Sequence, residues 1–475
     1  MKSNSQFLTS VFKKNNINFS NDKDQLTLAA KNFGGFIQPP QYMITPNCVE
    51  DIVTIVKLAN QYHIPIACRG FGHASGTQQQ ATNGFCINMR PIKTIHGIYY
   101  NNLNQPVVNA DAGASWQEIV DFTLKRGYIP PVYTDWLMLS LGGTMIFGGI
   151  GASSFEHGLQ CNQLLQADII SSDGVIHTTQ ANQELFDISI AGLGQYGIYT
   201  NIHLSLIKAP KFAHVYKIIY DDPTHFIEDA FRFAESKQFN ALIGHFEPNS
   251  IPVIQKRLGN QSILNSSQLA GLQSLNTPWV GILEVTKYSE QPRPSPFNAL
   301  GVYDRQYLFE VTYPIHDYLF RVPPILDSEL AKEDSTHEEL ALIMPYDEQA
   351  IQLVNEFLMT HSYEDIGNGA CLFVPIDLSK INAPYFIRPR GKWGFLFAIL
   401  SRHNPKNPSM NEHMIEINNT FYRKALAIGS RHYPCDSIEN THWERHYGSH
   451  WQAICHFKKK YDPNNIFSPG FNLLF

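Results

Sequence analysis

Two residues of this chain stand where a reactive side chain would be presented to a ligand. His73 lies in Arg69–Gly76, a turn whose glycines let the backbone approach a ligand closely, because glycine adopts positive φ at little cost. Asp135 stands between Tyr133 and Trp136, and partial desolvation by these rings would make its carboxylate a stronger base for proton abstraction. Each residue alone also fits a purely structural role. His73 could be a turn residue whose side chain is hydrogen-bonded within the protein, and Asp135 could cap a helix or turn.

Two glycine-rich segments offer backbone N–H groups to an anion. The segment Gly142–Gly151 lacks the lysine of a P-loop, so it either holds a diphosphate in another way or forms a tightly packed structural loop. The segment Gly192–Gly197 matches the pattern GxGxxG, which precedes a helix in a nicotinamide-binding Rossmann fold. Residues 198–206 instead alternate and are rich in β-branched side chains, which predicts a strand and disfavours a nicotinamide site.

Three histidines near the carboxyl end, His442, His446 and His450, are spaced like a metal-binding stripe on a helix. The zinc motif HExxH is absent, because Trp443 follows the first of them. Gly448 also weakens a helix between the second and third histidines. We therefore predict a packed face of aromatic and histidine side chains here, and no metal site.

The elements that must position these residues begin as alternating strands and helices. Tyr42–Thr45 is predicted as a strand, Asn47 as the N-cap of a helix over Glu50–Tyr62, and Ile64–Cys68 as a buried strand that leads into the turn of His73. The apolar face of that helix consists of Ile52, Ile55, Val56 and Ala59. Further strands are expected at 106–110, 168–171 and 198–206, and further helices at 115–125 and 225–236.

The composition of the sequence and its pattern of predicted elements change at Lys208-Ala209-Pro210. From there to about Cys435, helical stretches rich in Phe and Ala alternate with strands and with loops rich in Pro, Ser and Asn. The last forty residues are aromatic and are expected to dock on the first part of the chain. We predict an α+β protein of two lobes, with residues 1–210 and 436–475 in the first and 211–435 in the second.

The composition limits the classes of protein that fit. The chain has 475 residues, of which 43% are hydrophobic and only 16% charged, so a disordered chain is excluded. A net charge of −6 without dense basic runs disfavours nucleic acid as the main partner. The seven cysteines occur singly, which predicts reduced, buried thiols. A signal-peptide core and any stretch approaching ~20 apolar residues are absent, which predicts a soluble cytoplasmic protein, with signal-independent export as the alternative.

Taken in order, these segments resemble the vanillyl-alcohol-oxidase-like flavoenzymes, which have a PCMH-type FAD-binding domain, and within them the cytokinin dehydrogenases. The resemblance covers nearly the whole chain. The matching stretches are the Arg-Gly-x-Gly-His turn at Arg69–His73, the Thr-Asp loop at Tyr133–Trp136, the Gly-Gly-Thr at Gly142–Thr144, the AGLGQYGIYT of Ala191–Thr200, and a tail with Trp443, His446, Tyr447, Gly448, Trp451, Asp462-Pro463 and Pro469-Gly470.

The resemblance implies an FAD cofactor that is bonded through its 8α-methyl carbon to the imidazole of His73. Asp135 would remove a proton from the side-chain amine of an N6-isoprenoid adenine, a cytokinin, while hydride passes to flavin N5. The resulting imine would hydrolyse to adenine and an unsaturated aldehyde, and oxygen or a quinone would reoxidise the flavin. The implied FAD contacts are Arg69, Gly70, Gly72, Ala74, Gln78, Thr134, Asp135, Gly142, Gly143, Thr144, Gly149, Gly194, Gly197 and Ile198, besides His73.

Three departures from the family pattern limit how far the substrate carries over. Ala74 replaces a serine of the flavin turn, Phe471 replaces a glutamine near the flavin, and Gly369 falls where a pocket tryptophan is expected. The loss of that tryptophan would leave room for a differently shaped substrate. Two alternatives therefore stay open.

The first alternative is an alcohol or carbohydrate oxidase of the berberine-bridge type on the same fold. Those enzymes often carry a second flavin-linked cysteine just before the Gly-Gly turn, and this chain has none in Asp135–Met138, which argues mildly against it. The second alternative is a non-catalytic protein that binds flavin or a nucleotide. Such a protein would be coloured, but no amine or alcohol would bleach its flavin.

Overall fold

The computed structural model describes residues 2–35, 37–259, 262–293, 307–322, 336–337, 339–404, 406–435, 443–471 and 473. Helices and strands both occur throughout these ranges, and the strands form four sheets. The α+β class predicted from the sequence is therefore confirmed.

The first sheet has four strands and carries the turn of His73 at its edge. Its strands are β1 Asn18–Ser20, β2 Tyr42–Thr45, β3 Ile66–Arg69 and β4 Phe85–Asn88, in the order β1-β2-β4-β3, with helices α1 Lys2–Lys14, α2 Lys23–Ala30 and α3 Val49–Tyr62 around them. The predicted apolar face of α3 is fully buried. The N-cap prediction was wrong by one residue, because Cys48 occupies that position and the backbone N–H of Asn47 donates to Asp51 instead.

The second sheet lies beside the first and bears both glycine segments on its connections. Its strands are β5 Ile95–Tyr100, β6 Pro106–Asp111, β8 Leu164–Ile170, β9 Ile176–Thr178 and β10 Ile198–Ser205, in the order β5-β6-β10-β8-β9, and β7 Tyr128–Ile129 pairs with β11 Ile207–Lys208. The helices are α4 Trp116–Leu124, α5 Leu141–Met145, α6 Ser154–His157 and α7 Gln183–Ser189, with a 3-10 turn at Gln160–Gln163. Strand β10 follows Gly197 directly, which confirms the strand predicted there.

The third large sheet has eight strands and follows Pro210. They are β12 Phe212–Tyr220, β13 Ala241–Pro248, β14 Trp279–Ser289, β15 Leu308–Pro314, β16 Leu340–Pro345, β17 Ala370–Asp377, β18 Trp393–Leu400 and β19 Arg431–His432, in the order β15-β12-β14-β13-β17-β18-β16-β19. Its helices are α8 Pro223–Ser236, α9 Ile251–Leu258, α10 Ser266–Ser274, α11 Ile315–Leu319, α12 Glu348–Thr360 and α13 Pro408–Ala427, with 3-10 turns at Glu364–Ile366 and Leu378–Lys380.

The two faces of this eight-stranded sheet bury different partners. One face, with Phe373 and Phe397, packs on α8, α12 and α13 in an aromatic core. The other face, with Ile243 and Val374, joins one continuous core with residues of the second sheet such as Ile169. We call residues 18–208 with their sheets the first lobe and the eight-stranded sheet with its helices the second lobe.

The carboxyl-terminal segment packs on the first lobe. It contains α14 Trp443–Tyr447, a 3-10 turn at Gly448–His450, α15 Trp451–Tyr461 and a 3-10 turn at Pro469–Phe471. The N–H of Ile66 donates to the carbonyl of Ile466 at 2.6 Å, and the N–H of Ser468 donates to the carbonyl of Ile66 at 2.9 Å. These contacts are those expected if residues 436–475 complete the first domain, although the domain boundaries themselves stay a prediction.

The cysteines are all free, but the prediction that they are buried holds for only some of them. Cys86, Cys161 and Cys371 are buried, whereas Cys48 is exposed and the other three are partly exposed. In the parts of the chain that the structure describes, no helix combines the length and the apolar character needed to span a bilayer.

Candidate functional site

A cleft of about 600 Å³ opens in the first lobe between the first sheet, the second sheet and the carboxyl-terminal segment. Seven of the residues predicted to contact FAD line it: Gly70, Gln78, Gly142, Gly143, Gly194, Gly197 and Ile198. They come from three segments of the chain that lie between residues 70 and 198, and we call this the glycine-lined cleft.

The glycines are needed because their missing side chains are what leaves the cleft open. A Cβ atom at Gly143 would lie 2.8 Å from the hydroxyl oxygen of Ser140, and one at Gly194 would lie 2.7 Å from that of Ser468. Gly194 also has φ of +68°, which a residue with a side chain adopts at a cost. Any larger residue at either position would fill the cleft or distort its wall.

Several lining residues were not predicted from the sequence. They are Ile66, Cys68, Met89, Ala112, Ser140, Ile146, Tyr199, Phe467 and Ser468. Ser140 and Ser468 directly precede two motifs that were recognised, Leu141-Gly142-Gly143 and Pro469-Gly470. Their position in the sequence was therefore a usable signal, whereas the apolar residues look like ordinary core residues.

Two predicted contacts use their backbone N–H groups inside the protein. The N–H of Gly142 donates to the carbonyl of Ala112 at 2.8 Å, and the N–H of Gly149 donates to the hydroxyl of Tyr433 at 3.1 Å. Gly149 does not line the cleft and instead ties the glycine segment to the second lobe. Because both N–H groups already donate to acceptors within the protein, neither is available to a diphosphate.

The two predicted threonines are also engaged locally. The hydroxyl of Thr144 accepts a hydrogen bond from Nε1 of Trp116 at 2.9 Å, and the hydroxyl of Thr134 donates to the carbonyl of Trp136 at 2.8 Å. Thr144 therefore fixes α5 beneath the cleft, and Thr134 fixes the loop that carries Asp135.

The turn Arg69–Ala74 connects the cleft to His73. Arg69 donates from Nη2 to the carbonyl of Lys31 at 3.3 Å, while its Nε is buried without a hydrogen-bond partner. Gly72, with φ of +78°, leaves the space that this guanidinium occupies. The carbonyl of Ala74 accepts from the N–H of Gly34 at 3.3 Å. Gly70 lines the cleft, and His73 follows it three residues later in the same turn.

The imidazole of His73 lies between two aromatic rings at the border of the lobes. Its centroid is 4.3 Å from that of Phe33 and 5.1 Å from that of Trp136, which stacks on it at 14°. Burial, with a smaller effect from His337, lowers the pKa of His73 to about 4. Its Nδ1 is buried and has no hydrogen-bond partner. His73 is therefore neutral at physiological pH with a free ring nitrogen, the form in which an imidazole acts as a nucleophile.

Asp135 directly precedes Trp136, whose ring stacks on His73. Its carboxylate pairs with Arg321, a cation that could not be predicted from the sequence. Nη2 of Arg321 lies 3.0 Å from both carboxylate oxygens of Asp135, and 3.1 Å from Oε1 of Glu284. Lys217 approaches Glu284 from the other side at 3.6 Å. We call these four residues the charged cluster. No local pattern points to Arg321, because it is 186 residues from Asp135 in the sequence.

Two tyrosines lie near the charged cluster. Tyr133 is buried and its hydroxyl lies 2.8 Å from that of Tyr288. Burial raises the pKa of Tyr288 to about 12 and that of Tyr133 well above its usual value. Both phenols are therefore neutral at physiological pH. The stronger basicity predicted for Asp135 stays a prediction.

The residues present fit an FAD. The neutral His73 with its orphaned Nδ1, the unpartnered Nε of Arg69 and a cleft that glycines keep open are the features expected of a protein that holds this cofactor. The cleft would hold the diphosphate and ribityl parts, and the imidazole of His73, which contacts the Asp135–Trp136 loop through Trp136, is the candidate residue for contact with the flavin.

Gly369, where the family pattern has a tryptophan, is closely packed. A Cβ atom there would lie 1.9 Å from the carbonyl oxygen of Leu400, and the preceding Asn368 has φ of +62°. The direction that a side chain would take is thus filled by backbone. The missing tryptophan leaves no open space at Gly369 itself.

Two of the three carboxyl-terminal histidines lie in described residues, while His442 lies outside them. His446 lies in α14, which ends directly before Gly448. This glycine has φ of +52°. His446 packs edge-on against Trp443 with ring centroids 5.7 Å apart, and burial lowers its pKa to about 3. These contacts are the aromatic packing predicted for this segment.

Comparison with known proteins gives two family matches. The family described as FAD binding domain matches residues 40–180. The family described as "Cytokinin dehydrogenase 1, FAD and cytokinin binding" matches residues 210–474, more than half of the chain. Together the two matches cover both lobes.

Proteins that are similar along nearly the whole chain support the same two family matches. An uncharacterized oxidoreductase of the fasciation locus of Rhodococcoides fascians is 28% identical over 96% of this chain and 98% of its own length. Cytokinin dehydrogenase 1 of Arabidopsis thaliana is 28% identical over 94% of this chain and 81% of its own length. The solved structure of BBE-like 1 from Physcomitrella patens has the same fold, with a TM-score of 0.72 over 98% of this chain and 99% of that one, at 16% identity. The protein therefore belongs to the cytokinin dehydrogenase family of FAD-dependent oxidoreductases, with a PCMH-type FAD-binding domain.

Proposed function

We propose that the protein is a cytokinin dehydrogenase that oxidises the side-chain amine of N6-isoprenoid adenines and carries its FAD on His73. The bond that reacts is the one between the amine nitrogen and the adjacent side-chain carbon. When bound, FAD supplies the acceptor for the hydride that leaves this carbon. The products would be adenine and an unsaturated aldehyde, after water has hydrolysed the imine.

One observation supports this proposal, namely that the loop of Asp135 contacts the imidazole of His73 through Trp136. Trp136 stacks on His73 at 5.1 Å, and Asp135 is its neighbour in the chain. An amine oxidation that removes a proton from nitrogen and a hydride from carbon needs a base within hydrogen-bond reach of the nitrogen while the carbon faces the acceptor. The loop and the turn bring these two requirements together.

The residues of the chain then have distinct tasks. Asp135 would accept the proton from the amine nitrogen, since its side chain remains 24% exposed beside a residue of the second lobe, Arg321. His73, neutral and with a free Nδ1, would hold the cofactor. Tyr133 and Trp136 would exclude water around the carboxylate. Oxygen or a quinone is proposed as the final electron acceptor, as the family resemblance implies.

The decisive experiment is anaerobic addition of isopentenyladenine to the purified flavoprotein. We expect the visible flavin absorbance to disappear and adenine to appear in equal amount. Bleaching by a primary alcohol or a sugar, without bleaching by isopentenyladenine, would instead favour an oxidase of the berberine-bridge type. No bleaching by any amine, alcohol or sugar would contradict an enzymatic role and favour a flavin-binding protein.

A further inference from the structure

Arg321 joins two carboxylates that belong to different lobes. Asp135 lies on a loop of the first lobe, whereas Glu284 lies on β14 and Arg321 follows α11 in the second lobe. A single nitrogen, Nη2, lies 3.0 Å from both oxygens of Asp135 and 3.1 Å from Glu284. One guanidinium therefore sets where the carboxylate of Asp135 lies relative to the second lobe.

The guanidinium itself has little freedom to move. Its Nη1 donates to the carbonyl of Tyr318 at 3.0 Å, and its central carbon lies 4.2 Å from the centroid of the Tyr318 ring. That ring is 1% exposed, and its hydroxyl donates to Thr286 on β14. Since Tyr318 is fixed by the core, Arg321 is a rigid support for whatever it binds.

Glu284 is held on its other side by Lys217. Their ammonium and carboxylate are 3.6 Å apart, and the same Nζ donates to the carbonyls of Arg257 and Leu258 at 3.2 and 3.0 Å. Burial raises the pKa of Glu284, but Arg321 and Lys217 outweigh burial, so its pKa lies below the usual value. Glu284 therefore stays ionised and keeps a negative charge on Arg321.

The charges alternate along the cluster, from Asp135 to Arg321 to Glu284 to Lys217. Asp135 is the most exposed of the first three, at 24% against 15% for both Arg321 and Glu284. It is thus the member that a ligand between the lobes would reach. When Asp135 takes up a proton and becomes neutral, Arg321 still contacts the carboxylate of Glu284, which it shares with Lys217, so the guanidinium keeps a partner that holds it in place.

We propose that Arg321 is the positioning residue for Asp135, and that Glu284 keeps Arg321 in place in both protonation states of that aspartate. This inference rests on the proposed function, in which Asp135 accepts the proton of the substrate amine. The proton moves from the amine nitrogen to one oxygen of Asp135, and the hydride of the neighbouring carbon moves to the flavin. Arg321 neither gains nor loses an atom.

The test compares Arg321→Met and Arg321→Lys with the control Arg232→Met. Arg232 also pairs with a buried carboxylate, Asp229 on α8 at 2.8 Å, although Arg232 itself is 47% exposed, and neither residue belongs to the charged cluster. For Arg321→Met we expect the rate constant of anaerobic flavin reduction by isopentenyladenine to fall about 10- to 100-fold through misplacement of the base. The Kd for isopentenyladenine and the flavin content should change little, and Arg321→Lys should recover part of the rate.

A reduction rate constant for Arg321→Met within twofold of the wild type would overturn the inference. So would a loss that Arg232→Met shares, because that result indicates general destabilisation. Arg321→Lys keeps the charge, so it tests the proposal even where Arg321→Met does not fold.

A second readout separates this inference from the proposed function. Crystal structures of the variants should show Asp135 displaced in Arg321→Met and retained in Arg321→Lys. If isopentenyladenine does not reduce the wild type, the proposed function fails, yet the position of Asp135 still decides the role of Arg321. An unmoved Asp135 in Arg321→Met overturns the inference whatever the substrate.

Discussion

The glycine-lined cleft and the charged cluster are built from opposite kinds of residue. The cleft consists of glycines, two serines, Gln78, Tyr199 and apolar residues, and it offers space and backbone. The charged cluster consists of two carboxylates and two cations that are mostly buried, and it offers fixed charges. A cofactor that remains on the protein needs a fitted channel, whereas a reacting substrate needs a positioned charge.

The two regions also differ in how they depend on the rest of the molecule. Most of the cleft wall consists of short runs of sequence in or beside β3, α5 and β10 and in the carboxyl-terminal segment, so a local change acts locally. The charged cluster exists only where a loop of the first lobe meets β12, β14 and the end of α11. The following variants test this difference, from the largest expected effect to the smallest.

Replacement of Asp135 by asparagine should have the largest effect, and only on chemistry. The amide cannot accept the proton, so we expect the rate constant of flavin reduction by isopentenyladenine to fall about 100- to 10,000-fold. The FAD content should not change, because Asp135 does not line the cleft. Stopped-flow absorbance under anaerobic conditions measures the rate.

The matched control is Asp121→Asn, which removes a surface ion pair with Lys125. It should leave the rate constant unchanged. Reduction of Asp135→Asn at the wild-type rate would remove this residue from the mechanism and leave the charged cluster as a structural link between the lobes.

The next effect concerns the ion pair that fixes the carboxyl-terminal wall of the cleft. Lys458 and Asp462 are 2.7 Å apart and 1% and 0% exposed, and Lys458 also donates to the carbonyls of Gln195 and Phe467. Lys458→Met should lower the free energy of unfolding by about 3–5 kcal/mol, since it leaves a buried carboxylate unpaired. Urea unfolding followed by circular dichroism measures the change.

Lys460 provides the comparison, because it pairs with Glu184 while both are nearly half exposed. Lys460→Met should change the free energy of unfolding far less than Lys458→Met, because water screens this surface pair. Equal losses for the two variants would show that the anchoring of the tail does not depend on the buried pair.

A methyl group added at Gly194 should show whether FAD binding requires a glycine at this position of the cleft. Gly194→Ala places its Cβ 2.7 Å from the hydroxyl of Ser468, so we expect FAD affinity to fall about 10- to 200-fold, as for a pocket misfit of one carbon. Titration of the apoprotein with FAD in a His73→Ala background, where attachment is blocked, measures the affinity.

Gly127→Ala is the matched control, since Gly127 has a similar φ of +84° but open space around its Cβ direction. It should carry the same backbone strain without loss of FAD affinity. If both alanine variants bind FAD equally well, the steric role assigned to Gly194 is wrong.

The smallest effect is the response of covalent attachment to pH. Burial lowers the pKa of His73 to about 4, so the neutral, nucleophilic imidazole persists as the pH falls and is lost only near that value. An exposed histidine would be about nine-tenths protonated at pH 5.5. We expect the rate of FAD attachment to the apoprotein to change less than about twofold between pH 8 and 5.5.

Flavin that stays with the chain after acid precipitation reports attachment, and His73→Ala should retain none. A tenfold decline in rate between pH 8 and 5.5 would show that His73 titrates like an exposed histidine. Full retention of flavin by His73→Ala would place the attachment on another residue.

The elements around His73 show how far the sequence alone could lead. The apolar face of α3, the strand after Gly197 and the loop of Asp135 were predictable because each follows from neighbouring residues through helical period, alternation or turn chemistry. The cap of α3 was placed one residue early, since Asn47 uses its backbone to reach Asp51 instead. Of the implied FAD contacts, Gly149 and Thr144 proved to be engaged within the protein.

By itself, the sequence determined the class of fold, the glycines that line the cleft and the presence of His73 and Asp135 in two loops between regular elements. These features depend on short-range backbone geometry, which neighbouring residues specify. Only the tertiary structure decided what surrounds Asp135, because Arg321, Glu284 and Lys217 come from distant strands and a helix end. Buried charges of opposite sign stabilise each other only at contact distance, and that distance is set by how the two lobes pack.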